Sequence, residues 1–326
     1  MTSPATLRVV TVFVLLTGLV SAQDWPSFRG PSGGHSSPVV WGTRIFLTTA
    51  LANDASAHAL TLGDLDRAGI DPAKDLAPHQ WQVLAVDRDS GKMLWTRTVH
   101  QGVPRVKRHV KASHASATPA TNGRVLVAML GSEGLFAFDM NGAELWRKDL
   151  GPLRVGLADE PEYEWGPASS PVIAGDVVLV QNDRYKDSFL AAYDLLTGKE
   201  LWRSGREERP SWTTPLVHTH QNPTAVVAVS PFFARGHDLA TGRELWRVAD
   251  PEGQVKASTP VAAGELTIVT GGWPSAARPI VAVRVRDGSV NWRHDMNDVC
   301  MATPALSGDL LLVRTKSHLY ALRDRN

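Results

Sequence analysis

The sequence predicts an all-β fold, a propeller of six four-stranded blades, from three observations. Five near-copies of one phrase end in tryptophan: AVDRDSGKMLW (85–95), AFDMNGAELW (137–146), AYDLLTGKELW (192–202), GHDLATGRELW (236–246) and AVRVRDGSVNW (282–292). Their tryptophans stand 51, 56, 44 and 46 residues apart, a spacing that suits a repeated sheet unit of roughly 45 residues. A second marker, a small residue followed by Ser or Thr and then Pro, recurs six times, with its prolines at Pro38, Pro119, Pro171, Pro215, Pro260 and Pro304. Between marker and phrase lie two short apolar runs split by a turn, as in Val172–Ala174 and Val177–Val180 around Gly175 and Asp176.

Each blade then takes four strands. The innermost starts at the proline, where a missing N–H is tolerated. The second is the Val/Leu-rich run, the third carries Ala-x-Asp, and the fourth carries the tryptophan. Between third and fourth stands Gly91, Gly142, Gly198, Gly242 or Gly288, supplying the positive φ of a short turn. The preceding Asp87, Asp139, Asp194 or Asp238 can accept hydrogen bonds from the turn amides. The tryptophans Trp95, Trp146, Trp202, Trp246 and Trp292 are expected to cover the small residue of the neighbouring strand and dock on the next blade. Losing one such buried ring costs about 3–5 kcal/mol.

Two departures from the repeat are expected. Residues 50–80 read as an insertion in the first blade, between its second and third strands. Within it, Asp64 to Asp71 faintly resembles a calcium loop, but Ala68 occupies the fifth position, where an oxygen ligand is needed, and Asp75 replaces the closing glutamate, so no metal is expected there. The last repeat reaches a third strand near Leu319 and has no tryptophan strand after it. Closure of the ring therefore falls to Asp24–Arg29, with Trp25 in the docking role.

Residues 1–22 read as a signal peptide: Arg8, an apolar run from Val9 to Val20, and a small-residue cleavage site ending at Ala22. The run is short for a membrane span, and no cysteine follows it to carry a lipid anchor. Residues 23–326 are then one exported domain, periplasmic or secreted, with no membrane insertion and a monomeric state. The formal net charge of +1 gives no footprint for nucleic acid. The basic run Arg105 to Lys111 reads as a solvated loop.

The phrase A-x-D-x-x-[TS]-G-K-x-x-W resembles the repeat of pyrroloquinoline-quinone (PQQ)-type propellers over nearly the whole mature chain. Trp25–Pro31, His35–Trp41, Lys111–Pro119, Gly131–Gly134 and Lys186–Ala192 are similar to segments of exported PQQ-like repeat proteins. That resemblance implies seven or eight blades, so this chain reads as shortened. Among quinoprotein dehydrogenases it also implies an adjacent cysteine pair, a Glu/Asn/Asp calcium set and a catalytic Asp. This chain has the single Cys300 and no matching carboxylate set. The non-catalytic outer-membrane scaffold of the same group is a lipoprotein, and the anchoring cysteine is missing here. The expectation is a binding or scaffold protein for an unidentified protein or small molecule, without cofactor. The alternative is a PQQ- and calcium-dependent dehydrogenase of alcohols or sugars.

Residues just ahead of each proline marker should gather at one mouth of the central channel: His35, His114, Trp165, Trp212, Lys256 and Cys300. Two histidines, two tryptophans and a lysine suit a small anionic or aromatic ligand. Cys300, between Val299 and Met301, reads as a buried thiol. His218 and His220 alternate along a strand but lack a third ligand, so they read as an exposed hairpin and not a metal site.

Overall fold

The computed structural model describes residues 35–52, 71–157, 160–249, 255–272, 279–300 and 302–323. The signal-peptide, Trp25 closure and Asp64 loop expectations lie outside these residues. Among the described residues, five antiparallel four-stranded sheets and one three-stranded sheet follow one another along the chain, each in simple up-and-down order.

Blade 1 holds β1 (Val39–Trp41), β2 (Arg44–Ala52), β3 (His79–Asp87) and β4 (Met93–Gly102). Blade 2 holds β5 (Ala120–Thr121), β6 (Val125–Met129), β7 (Leu135–Asp139) and β8 (Glu144–Lys148). A two-stranded ribbon, β9 (Gly156–Leu157) with β10 (Glu160–Glu164), precedes blade 3. Blade 3 holds β11 (Val172–Ala174), β12 (Val177–Asn182), β13 (Ser188–Asp194) and β14 (Glu200–Arg206). Blade 4 holds β15 (Leu216–His218), β16 (Ala225–Val229), β17 (Phe233–Asp238) and β18 (Glu244–Ala249). Blade 5 holds β19 (Val261–Ala263), β20 (Leu266–Thr270), β21 (Pro279–Arg284) and β22 (Val290–Asp295). Blade 6 holds β23 (Ala305–Ser307), β24 (Leu310–Arg314) and β25 (Leu319–Arg323). The predicted 50–80 insertion is shorter than expected at both ends. Ala50 pairs with Trp81 and Leu51 with Gln80, so β2 and β3 run on to the pair Ala52–His79 before the chain leaves the sheet.

The tryptophan phrase does two jobs. Within a blade, Trp95 lies opposite Ala85, Trp146 opposite Ala137, Trp202 opposite Ala192, Trp246 opposite Gly236 and Trp292 opposite Ala282, where only a small side chain leaves room for the ring. A register shift follows that pair in every blade, so the bulge is part of the repeat. Between blades, the indole N–H crosses the seam. Trp95 donates to the Met140 carbonyl at 3.2 Å, and Trp146 to Leu195 and Trp202 to Leu239 each at 2.9 Å. Trp246 donates likewise to the Val285 carbonyl.

The ring then lies flat on the next blade's turn glycine. A Cβ on Gly142 would sit 2.7 Å from Trp95, on Gly198 2.6 Å from Trp146, on Gly242 2.3 Å from Trp202 and on Gly288 2.9 Å from Trp246. Among the described residues nothing comes within 4 Å of the same place over Gly91.

The proline marker supplies a second seam contact that periodicity alone did not reveal. The amide of Ser37 donates to the Thr118 hydroxyl at 3.0 Å, Thr118 to Ser170 at 2.9 Å, Ser170 to Thr214 at 3.1 Å and Thr259 to Thr303 at 3.0 Å. Each first strand starts one residue after the proline, and β1 contacts β5, β5 contacts β11 and β15 contacts β19. The first strands therefore line the axis.

Buried apolar side chains follow the same plan, collecting between adjacent blades. Blades 1 and 2 share Phe46, Trp81, Leu126 and Phe138. Blades 2 and 3 share Val127, Trp146, Phe189 and Tyr193, and blades 5 and 6 share Ile268, Ile280, Cys300 and Val313.

This packing predicts an asymmetry between two glycines of equal φ class. Gly198 (φ +67°) is covered by Trp146, whereas Gly175 (φ +60°) faces open space. Gly175→Ala carries only the left-handed backbone cost, roughly 1–2 kcal/mol. Gly198→Ala adds overpacking of about 1–3 kcal/mol. Urea titration of the two variants should show the larger loss at Gly198; equal losses would contradict the stacked geometry.

Candidate functional site

The loops that lead into the first strands are tied to one another by backbone hydrogen bonds around the axis. His35 N donates to Ala115 O at 3.0 Å and to Ser113 Oγ at 3.1 Å. His109 N donates to Trp165 O at 3.0 Å, and Trp212 N to Lys256 O at 2.9 Å. Side chains from these loops diverge. Trp165 and Trp212 come together, with ring centroids 5.8 Å apart and planes tilted by 35°. His109 meets the Trp165 ring edge-on at 5.2 Å, and Trp212 Nε1 donates to Gly166 O at 2.8 Å.

His35 is exposed. His114 turns into the end of blade 1. Lys256 is buried and lines a cleft between blades 4 and 5 with Val229, Ala234, Val248 and Val281. Cys300 is buried in the blade 5–6 seam, its Sγ 3.6 Å from Arg314 O, and burial pushes its thiol pKa up. The predicted funnel is thus a half-buried tryptophan pair, with His114, Lys256 and Cys300 drawn into seams.

Two expectations from the sequence are overturned. The basic run is not a solvated loop. Arg108 is buried against Asp75, Arg105 pairs with Asp149 and lies 3.3 Å from Glu133, and Lys107 Nζ donates to Glu162 O. Nor do His218 and His220 share an exposed hairpin. His218 is buried with Nε2 2.8 Å from Thr267 Oγ1 of blade 5, while His220 is exposed.

Two buried polar clusters result. In the first, Arg108 Nε donates to Asp75 Oδ2 at 2.7 Å and His114 Nε2 approaches the same oxygen at 2.9 Å. His79 lies beside them, its ring 5.1 Å from that of His114, and Trp81 Nε1 donates to His114 O at 3.1 Å. Burial alone would raise the Asp75 carboxyl. The hydrogen bonds from His114 and Arg108 outweigh it and hold the group well below the usual carboxylate range. Burial also lowers the His114 pKa, against the pull of Asp75.

The second cluster spans blades 3 and 4. Arg206 Nε donates to Asp183 Oδ1 at 2.9 Å, and the other Asp183 oxygen accepts from Ser211 at 2.8 Å, Ser230 at 2.6 Å and Gln181 at 2.7 Å. Arg206 also bonds Ser230, and Glu208 pairs with Arg235. His237 Nδ1 lies 3.1 Å from Gly242 O, so the proton sits on Nδ1 and Nε2 faces Arg206 as acceptor. Burial pushes Glu208 up to about 7 against the pull of Arg206 and Arg235. Burial, then the Arg206 charge, pushes His237 down to about 4.

Asp75 and Arg108 stand 33 residues apart on irregular chain, which no local pattern links. The reachable signal was the His114 segment, whose partners come from the insertion.

The comparisons define the class. The family described as outer membrane protein assembly factor BamB matches residues 80–231 and 233–326, and the chain belongs to this family. No curated protein matches in sequence. Among solved structures, BamB from Moraxella catarrhalis is similar at 18% identity and TM-score 0.53, over 78% of this chain and 72% of that one. A europium-containing methanol dehydrogenase is similar at 11% identity and TM-score 0.51, over 86% of this chain and 74% of that one. A quinohemoprotein alcohol dehydrogenase from Comamonas testosteroni is similar at 12% identity and TM-score 0.51, over 81% of this chain and 43% of that one. These likenesses show the propeller fold. Among the described residues, no helix is long and apolar enough to cross a membrane.

The second cluster predicts a pH response. His237, pushed down to about 4 in the fold against about 6.5 for an unperturbed histidine, holds fewer protons in the folded state between those values. Its contribution is present above pH 6.5 and is lost as pH falls toward 4, amounting to about 3 kcal/mol. Glu208, raised to about 7, acts in the opposite sense over an overlapping range. The stability difference between the parent and His237→Gln therefore isolates the histidine. Urea unfolding at steps from pH 7 to 4 should show that difference shrinking with acid; a constant difference would refute the assignment.

Proposed function

We propose that this chain is an exported, non-catalytic propeller that binds or scaffolds a protein partner, acting as a monomer in the periplasm or outside the cell. Family membership supports the scaffold role, since the matched family is described as an assembly factor. The observation that carries the non-catalytic part is the pairing of three buried acids with arginines. Asp75 faces Arg108, Asp183 faces Arg206 and Glu208 faces Arg235. A carboxylate neutralised by a buried arginine is a poor calcium ligand, and breaking such a pair costs about 3–5 kcal/mol. Cys300 is the chain's one cysteine and lies inside a seam, so the adjacent pair of quinoprotein dehydrogenases has no counterpart. Among the described residues, these arginine-paired carboxylates argue against a PQQ–calcium centre.

For the partner we favour the face bearing the Trp165–Trp212 pair and His109. Half-buried aromatic rings held by backbone hydrogen bonds are preorganised contact surface. The purified chain titrated with PQQ and calcium, followed by absorbance and calorimetry, should show neither a stoichiometric complex nor calcium-dependent dye reduction. A one-to-one quinone complex that reduces dye with an alcohol or sugar would overturn this reading.

A further inference from the structure

We propose that Asp75, His79 and His114 form a binding site for one divalent transition-metal ion of the zinc class. The proposal stands apart from the quinone–calcium question, because it concerns different donors and a different kind of ion. Among the described residues these three bring their ligand atoms within 4.8 Å of one another. They arrive from two parts of the chain, the segment leading into β3 and the loop before β5. Asp75 is delivered by the end of the blade 1 insertion, which is clamped two residues earlier by the backbone pair Ala73–Arg108. His79 is the first residue of β3, and His114 lies in the loop before β5. Asp75 and His79 are buried, and the His114 side chain is 6% exposed.

The tautomers suit ligation. His79 Nδ1 is 2.8 Å from the Ala77 carbonyl, so that nitrogen carries the proton and Nε2 keeps its lone pair. A backbone carbonyl orienting a ring in this way is the common outer-shell partner of a metal-bound histidine. Arg108 holds the Asp75 carboxylate in place and ionised, through Nε to Oδ2 and Nη2 to Oδ1. His114 Nε2 and Asp75 Oδ2 share a proton across 2.9 Å. An ion bound between them displaces that proton from Nε2, and the ring takes one up on Nδ1 from solvent, so His114 ligates as a neutral imidazole.

Charge decides which ion. Arg108 offsets the carboxylate, so a hard ion such as calcium or magnesium, held by several charged oxygens, gains little here. Two imidazole nitrogens instead favour zinc, cobalt, nickel or copper. Three protein donors leave a fourth position for water or an outside ligand.

The test uses the purified chain after chelator treatment. Cobalt(II) should bind one ion per chain with visible d–d absorption, zinc should displace it, and excess calcium should not. Calorimetry near neutral pH in two buffers of different ionisation enthalpy should give the same heat, because a neutral imidazole pair and an ionised carboxylate bind the ion with no net proton release. His79→Ala should weaken binding by at least ~100-fold, whereas His218→Ala, a buried histidine of blade 4, should leave it unchanged. X-ray absorption of the zinc-loaded parent gives a reading that needs no variant, and two imidazoles in the first shell are expected. Absence of stoichiometric binding, a zinc shell lacking imidazole, or undiminished affinity in a folded His79→Ala protein would each overturn the proposal.

Discussion

An indole N–H reaching a carbonyl on the next sheet is the contact on which this molecule depends. A four-stranded blade of short strands buries too little on its own, so its stability has to come from its neighbours. The described core has that character: a series of seam clusters, each drawn from two adjacent blades. At the outer end of a seam the tryptophan fixes both distance and register. Its ring needs a small residue beneath it in its own blade and a glycine in the next, and its N–H needs the carbonyl just after the turn aspartate or its counterpart Arg284. At the inner end, the marker amide and hydroxyl fix the same two blades near the axis. In the three seams between blades 1 and 4 both directional contacts are present and leave adjacent sheets little freedom to slide.

Much of this architecture was legible because each device recurs with the repeat. Small residue, turn aspartate, glycine and tryptophan appear at constant spacing, and the structure gives each a distinct task. The marker hydroxyls were visible as a pattern, but their hydrogen bonds run between residues 44 to 81 positions apart, and no local rule predicts such a pairing. The site was harder to read for the same reason. His114 stood out by its place before the marker, yet its carboxylate partner comes from the insertion, where the repeat gives no register. Arg108 looked like one charge in a solvated run because a sequence shows its neighbours and not its cavity. Lys256 and Cys300 lie in the loops before β19 and β23, and which way a loop side chain turns depends on seam packing.

The polar clusters show how the fold uses residues that would elsewhere signal catalysis. Asp75, Asp183 and Glu208 are buried acids, and each is matched by an arginine. Such pairs contribute little net stability but are costly to break. They fix the loops above the blades and, with them, the Trp165–Trp212 pair. The proposed binding function rests on this rigidity, since a partner surface built on loops needs those loops held.

The central claim is that seam contacts, and not the blades alone, order the loops around the axis. Amide hydrogen exchange at Ser37, Thr118, Ser170 and Thr259 tests it most directly, because each amide sits in a loop and donates to a hydroxyl of the next blade. The account predicts protection close to that of β6 and β12, with Ser170→Ala releasing Thr118 in particular. Exchange at the rate of free loop amides, while β6 and β12 stay protected, would contradict it.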